Sequence, residues 1–344
     1  MNLFNLKYNK FHFSLLSKFQ NSQSRISRKD AIIIQAIDED GYHHNGEISP
    51  LIGFSTESIE QCQAQLDKII PKLDVLNENI LMVIKEQFDL YPSVLYAFEQ
   101  LLLSVRLKNT KQKTKIYSVE TNALIALNDK DKTLYKINEM IGLGFSTFKI
   151  KVGIANVRDE ILHIKSIYQN FGDVIKIRLD CNGAWSVDET FEFLSETSDL
   201  DFEYLEQPTA KLNDLIVLSK NSKIKIAPDE SIHDYETACQ IVNSGIFKII
   251  VIKPSIEIGI FNSIKLIEVA NSTGIKIIIT SAFESAIGKW PLLYLSSLVN
   301  HSMAHGLNTE TVGANIITST IDYSLSKIKF KSKDLISSIT VNFP

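Results

Sequence analysis

The chain predicts an α/β barrel preceded by a smaller α+β domain, on three observations. Five short hydrophobic segments, FKIKVG, IRLDCN, EYLEQP, IAPDES and VIKPS, close on charged residues: Lys149 and Lys151, Asp180, Glu206, Asp229 and Lys253. The carboxylates lie 26 and 23 residues apart. That interval holds about one strand, one helix and two loops, as in a barrel of roughly 250 residues over eight units. From about residue 118 strand-like and helix-like runs alternate, the pattern of a parallel sheet. Strands of such a barrel end at one mouth, so three carboxylates and opposed lysines converge there.

The composition excludes several classes. At 344 residues the chain has room for one large or two medium domains. With 44% hydrophobic residues and a net charge of −4, it has no basic excess for nucleic acid or an anionic membrane. Cys62, Cys181 and Cys239 are scattered, without metal-ligand spacing, and suit a reducing compartment. Cys181 points away from Asp180 along a strand and reads as packing. MNLFNLKYNKFHFSLLSKF is too interrupted by Lys and Asn for a signal segment, and no apolar run reaches transmembrane length. The cytoplasm is the expected location.

Residues 1–115 form the predicted α+β domain. NLKYNKFHFSLL and DAIIIQAIDEDG read as strands, the second closing on the turn Asp-Glu-Asp-Gly. Helices are expected near 56–72 and 92–105, and His43 and His44 read as a turn. NTKQKTKIY at 109–117 reads as a solvated connector. The barrel is expected over 116–320, with the segment from about 320 to 344 free to return to the first domain. TNALIAL, FKIKV, IRLD, EYLEQ, IKIAPD, FKIIVIKP and IKIIIT are its strands. Helices are expected near 131–142, 156–170, 187–197, 211–220, 235–243 and 260–272. Ser186 through Glu189 fits a capping box, and Gly172, Gly245 and Gly274 sit where helix C-caps belong. There is no dinucleotide fingerprint and no phosphate loop.

Barrel strands are buried on both faces and normally read as continuous apolar runs. FKIKV departs from this. Phe148, Ile150 and Val152 share one face, which meets the helices, while Lys149 and Lys151 share the other and project into the barrel. Two neighbouring ammonium groups repel, which tends to bring at least one pKa toward neutrality and suits a general base. A lone KxK reads as an edge strand with solvated lysines; the company of Asp180, Glu206 and Asp229 changes that reading. Three carboxylates at one mouth repel unless neutralised, and a divalent cation with oxygen ligands is the simplest neutraliser. Lys253 faces Lys149 and Lys151 across that centre. It can move a proton on the opposite substrate face or stabilise developing charge; an ion pair with Asp229 is the plainer alternative. Arg178 shares the inward face with Asp180 and is a candidate for positioning the ligand. The histidines show no ligand spacing, and His305 reads as structural.

Taken together, the KxK strand, the Asp/Glu/Asp series and the VIKP lysine resemble the enolase superfamily, muconate-lactonising-enzyme subgroup, over nearly the whole chain. The resemblance implies an α+β capping domain on a modified (β/α)7β barrel. Three further stretches resemble the o-succinylbenzoate synthase family: Gly46 to Ser55, GEISPLIGFS; Thr280 to Gly288, TSAFESAIG; and His305 to Thr309, HGLNT. The departures are Ile52 where that family usually has Pro, Asn308 for Asp and Thr280 for Ser. What this implies is a syn dehydration of a cyclohexadiene carboxylate, SHCHC, to o-succinylbenzoate in menaquinone synthesis. Lys151 would take the proton α to the carboxylate and return it to the departing hydroxyl. Mg²⁺, with Mn²⁺ as a possible substitute, would sit on Asp180, Glu206 and Asp229. Lys253 would be a cation–π and electrostatic partner, and Lys149 would hold the Lys151 pKa down. Thr280, Ser281 and Gly306, through main-chain groups, and the loop at Gly53 and Phe54 would enclose the succinyl arm.

Three other readings stay open. A racemase or epimerase of the same superfamily, acting on an N-acyl amino acid or a dipeptide, needs the same metal with Lys151 and Lys253 exchanging protons. Dipeptide enzymes of the superfamily usually carry an Asp-x-Asp at the eighth strand to hold an α-ammonium, where this chain reads GLNTE. A Schiff-base aldolase would use one barrel lysine without metal. A non-catalytic barrel would use the same charges as ion pairs. The sequence leaves the oligomeric state open.

Overall fold

The computed structural model describes residues 2–20, 25–110, 115–127, 129–309, 311–312, 317–337 and 339–341. Strands β1 (Leu3–Gln20), β2 (Arg25–Asp38) and β3 (His43–Ile48) pair antiparallel, and Thr311–Val312 adds to the free edge of β1. The β2–β3 turn is closed by Asp38, whose carboxylate accepts the Asp40 and Tyr42 N–H groups. His44 is not in a turn, as its sequence context suggested. It lies buried in β3, bridging Asp38 at 3.0 Å and Ser104 at 2.7 Å.

Helices α1 (Ile59–Ile69), α2 (Glu78–Phe88) and α3 (Pro92–Asn109) cover this sheet. α2 is absent from the sequence reading for a physical reason. Its run ILMVI is apolar nearly all round, and the structure buries Leu81 and Ile84 but exposes Met82 and Val83. Periodicity alone does not choose a face there. α3 is apolar on every side because both sides are used. Phe98 and Leu101 pack on the sheet, while Tyr96, Leu103 and Leu107 pack into the barrel core. Where β3 crosses α3 only glycine fits, since a Cβ on Gly46 would stand 2.5 Å from the Ala97 carbonyl oxygen.

The connector is shorter than expected: residues 111–114 lie outside the described residues, and Ile116–Glu120 (β4) is a strand paired with Lys327–Lys331. Five parallel strands follow in order: β5 (Ala123–Ala126), β6 (Thr147–Lys151), β7 (Lys176–Asp180), β8 (Tyr204–Glu206) and β9 (Ile226–Ala227). β10 (Ile249–Ile252) joins through Val251 N–H to Pro228 O, and β11 (Lys276–Ile279) pairs with β10. Closure uses a very short eighth segment, His305–Gly306, bridged to Thr280 on one side and Thr121 on the other. Helices α4 (Lys130–Gly142), α5 (Val157–Phe171), α6 (Val187–Glu196), α7 (Leu212–Asn221), α8 (Tyr235–Asn243), α9 (Gly259–Thr273) and α10 (Ala286–Ser296) follow the first seven strands. This is the (β/α)7β architecture. Ser186 forms the capping box with Glu189. Gly274 caps α9 in the left-handed region, and Gly172 is the C-cap of α5 in a right-handed conformation, φ −55°, where a Cβ would stand 2.7 Å from the Tyr168 carbonyl oxygen.

The outward face of β6, with Phe148, Ile150 and Val152, joins the core under the helices. The lower barrel interior is plugged by Tyr204, Ala227, Ile249, Val251 and Ile278. Above that plug the interior is charged.

The N-terminal sheet is fastened to the barrel by buried acids at helix N-termini. Glu99 of α3 accepts the Ile260 and Phe261 N–H groups of α9, at 2.5 and 2.9 Å. Glu47 of β3 accepts from Ser285 and Gly288 at the start of α10. Burial pushes the Glu99 carboxyl up to about 7, against the pull of those two N–H groups. The folded chain therefore holds the Glu99 proton more tightly than the unfolded chain. This contribution is complete at acid pH and is lost as pH rises through about 7. Glu99→Gln should remove a pH-dependent loss of stability of about 3 kcal/mol between roughly pH 4.5 and 7. Urea midpoints of both proteins at pH 5 and pH 8 measure it; an unchanged difference between them would show Glu99 to be solvated.

Candidate active site

Strand register brings the charges to one level. Lys151 pairs with Asp180 across β6 and β7, and Asp180 with Glu206 across β7 and β8. Asp229 follows β9 and Lys253 follows β10; all of these side chains are buried. Lys149 Nζ donates to Asp180 Oδ2 at 3.0 Å and to Glu206 Oε1 at 2.5 Å. Lys151 Nζ donates to Asp180 Oδ2 and to Asn182 Oδ1, both at 2.7 Å. Lys253 Nζ donates to Asp229 Oδ1 and stands 5.5 Å from the centre of the Phe54 ring.

The electrostatics sort these groups. Burial works against both ions of each pair, but Lys149 and Lys151 outweigh it at Asp180 and hold that carboxylate well below its ordinary range. Glu206 goes the other way, raised by burial and then by the charge on Asp180. For Lys149, the pull of Asp180 and Glu206 exceeds the cost of burial and holds its pKa well above that of an ordinary lysine. Charge repulsion within KxK therefore does not bring Lys149 toward neutrality, because carboxylates lie closer to it than repulsion alone allows for. Lys253 is raised too: Asp229 and Glu230 overcome its desolvation.

The acids fit a hard cation. One oxygen from each of Asp180, Glu206 and Asp229 lies within 4.8 Å of the others. Glu206 Oε2 and Asp229 Oδ2 are buried without a hydrogen-bond donor. Buried carboxylate oxygens without partners are costly, and a divalent cation with oxygen ligands satisfies all three at once.

Beside this cluster a cleft of about 520 Å³, including its opening, is lined by Lys149, Lys151, Asp180, Asp229 and Lys253. Its apolar wall is Leu51, Phe54, Leu124 and Phe283. Thr280, Ser281 and Gly306 also line it, but their main-chain N–H groups are not free for a ligand. Thr280 N–H donates to Ile252 O, Ser281 N–H to Gly306 O, and Gly306 N–H to Ile279 O. The barrel ladder consumes these donors, which leaves Thr280 Oγ1, buried without a partner, as the group there for a ligand. Gly53 lies outside this cleft, in a neighbouring one shared with Phe54, Asn182 and Lys253. Arg178 also does not reach it. Its guanidinium is fully buried below, bonded to Glu203 at 2.7 Å, Asn122 at 3.2 Å and Ala304 O at 2.8 Å, over the Tyr204 ring. Alternation placed Arg178 on the inward face correctly; being two residues earlier in the strand put it one layer too deep.

The sequence reading missed two polar residues at the site. Asn182 accepts from Lys151 and donates to Glu230 Oε1 at 2.8 Å, and Glu230 lies 3.7 Å from Lys253. Asn182 stands two positions after Asp180 but past the end of β7, in the left-handed region at φ +47°, so strand alternation does not point to it. Glu230 follows Asp229 directly and gave no signal either.

Fold and site together are those of a barrel whose mouth carries a buried carboxylate cluster able to hold a cation, beside a cleft. A family pattern described as "Enolase C-terminal domain-like" matches residues 134–319, and "MenC, N-terminal domain" matches residues 6–103. An o-succinylbenzoate synthase of Aliivibrio salmonicida is 30% identical over 292 residues, covering 83% of this chain and 84% of that protein. A hydrophobic dipeptide epimerase of Enterococcus faecalis is 31% identical over 173 residues, 49% of each chain. In three dimensions the dipeptide epimerase of Enterococcus faecalis, solved with Mg and L-Leu-L-Tyr, superposes with a TM-score of 0.88 at 22% identity, covering 99% of this chain and all of that one. The chain belongs to the enolase superfamily, and within it to the family of the o-succinylbenzoate synthases. No helix among the described residues is long and apolar enough to cross a membrane.

Proposed function

We propose that the chain dehydrates 2-succinyl-6-hydroxy-2,4-cyclohexadiene-1-carboxylate (SHCHC) to 2-succinylbenzoate, in menaquinone biosynthesis, with Mg²⁺ on Asp180, Glu206 and Asp229; Mn²⁺ is the expected substitute. The observation that carries this reading is the 30% identity to an o-succinylbenzoate synthase over 83% of the chain, joined to a cleft with a lysine on either side of the acid cluster. Lys151 faces the cleft from β6, held by an acid and an amide. Lys253, opposite, is locked to Asp229 with its pKa raised. A syn elimination needs one base on one face, and a racemase needs a mobile proton on both.

Lys151, in its neutral form, takes the proton from the carbon bearing the carboxylate. The electron pair left behind becomes the double bond between that carbon and its hydroxyl-bearing neighbour as the C–O bond breaks, and the same proton leaves with the hydroxyl as water. The ring becomes aromatic with no outside oxidant. Lys149, kept charged by its acids, holds Asp180 and Glu206 in place. Lys253 supplies fixed positive charge over the ring face. A divalent cation held by Asp180, Glu206 and Asp229 would supply positive charge that stabilises the negative charge developing on the substrate carboxylate. Leu51, Phe54, Leu124 and Phe283 supply an apolar wall for ring and arm and exclude water.

Asn308 lines the cleft as a neutral amide; because the o-succinylbenzoate synthases usually have Asp there, this position does not choose between the dehydratase and a dipeptide epimerase. Loss of SHCHC absorbance, run beside proton–deuterium exchange at the α-carbon of N-succinyl amino acids and dipeptides, separates the readings. Dehydration is expected; exchange without dehydration would transfer the assignment to the racemase.

A further inference from the structure

Lys29 is a buried lysine that the chemistry above leaves unused. It sits on β2 of the N-terminal domain, yet its ammonium donates to the carbonyl oxygen of Ala282, in the loop between β11 and α10 of the barrel. Glu47 and Glu284 are the acids whose charges act on it. Burying an ammonium is expensive unless its geometry is used, so its target is informative.

The target loop is strained. Phe283 has φ +63°, a left-handed conformation that an aromatic residue rarely adopts. Its side chain lies on the wall of the cleft, packed with Leu51, Phe54, Ile256 and Ala282. The loop is clamped from several directions at once. Glu284 accepts from Ala282 N–H at 3.0 Å and Ser281 Oγ at 2.5 Å, and Ser281 Oγ accepts the Phe283 N–H at 3.1 Å. Glu47 takes Ser285 N–H at 3.0 Å. Of these clamps, Lys29 and Glu47 come from the other domain. Strained backbone persists only where its surroundings over-determine it, and here part of that determination crosses the domain boundary.

We propose that Lys29 is a positioning residue that sets the wall of the substrate cleft from the N-terminal domain, by holding the Ala282–Phe283 turn in its strained form. Domain docking and cleft shape are then one event, and the apolar wall that receives the ring exists only in the docked state. The inference rests on the reading of this cleft as the active site.

Hydrogen exchange by mass spectrometry on Lys29→Met reads the loop without any substrate. Exchange in the peptide containing the Ala282–Ser285 amides should speed up about tenfold, with α3 and the barrel strands unchanged. The KM for SHCHC should rise about tenfold with kcat within about threefold, the signature of lost binding. Lys29→Arg keeps a charged donor of similar reach and should recover most of both. If Lys29→Met does not fold, Lys29→Gln, whose amide falls short of the Ala282 carbonyl, carries the same readouts. Wild-type exchange and KM in the Met or Gln variant would overturn the proposal. So would acceleration spread evenly over the barrel, which marks a packing role. If the wild-type chain lacks dehydratase activity while Lys29→Met still shows the local exchange change, the function falls and the positioning stands.

Discussion

Lys151→Ala should eliminate dehydration, with kcat falling by about 10³-fold or more, the upper part of the range for losing a general base. The position explains the expectation. Lys151 combines orientation by Asp180 and Asn182, each at 2.7 Å, with access to the cleft. Lys149 cannot substitute, because two carboxylates hold its proton. Lys253 lies across the cleft, bonded to Asp229, and would attack the wrong face for a syn elimination. The metal donors are untouched by this substitution, and Lys149 still offers Asp180 a partner. Titration calorimetry should therefore show divalent cation binding to the Ala variant close to the wild type. Appreciable turnover by the variant would remove Lys151 as the base. Lost cation binding would mean that its main contribution is to Asp180.

Removal of the divalent cation should abolish activity and also weaken the fold. Asp180, Glu206 and Asp229 place oxygens within 4.8 Å of one another, and two of their oxygens are buried without donors. Metal-free, Glu206 is forced toward its protonated form by burial and by Asp180. A carboxyl raised in the folded state stabilises the chain at acid pH and loses that contribution as pH rises above the ordinary carboxylate range. The metal-free chain should therefore lose stability as pH rises, and saturating Mg²⁺ should oppose the loss. At a hundred times Kd the cation adds about 2.7 kcal/mol. Thermal unfolding in EDTA and in Mg²⁺, at pH 6 and pH 8, measures this. Glu206→Leu removes a buried acid and should flatten the pH dependence of the EDTA sample while abolishing turnover. Full activity in EDTA would refute the cation's role in catalysis; a melting temperature indifferent to Mg²⁺ would refute the cation site.

The chain alone gave the charged strand ends, because covalent spacing and side-chain alternation are local. Residues one βα unit apart end at the same mouth in any parallel barrel, so spacing alone groups Lys151, Asp180, Glu206, Asp229 and Lys253. The helices following strands β5 to β10 were legible within a residue or two for the same reason. α2 was not, since its apolar residues select no face until the sheet supplies one. The direction in which the Lys149 pKa moves was also not legible. It depends on Asp180 and Glu206 at 3.0 and 2.5 Å, distances that sequence spacing does not set.

Depth and docking belong to the tertiary structure. Arg178 and Asp180 are indistinguishable by alternation, yet one is buried beneath the cleft against Asn122 and Tyr204 and the other opens to the cleft. The GEISPLIGFS stretch was legible as a motif, but only the fold shows Glu47 reaching the start of α10, 238 residues away in the chain. Lys29 meets Ala282 across 253 residues. Such contacts carry no periodic trace, because they are made by two separately folded surfaces meeting. The sequence by itself therefore determined which residues can do the chemistry. Only the packing of one domain on the other decided the shape of the space in which they do it.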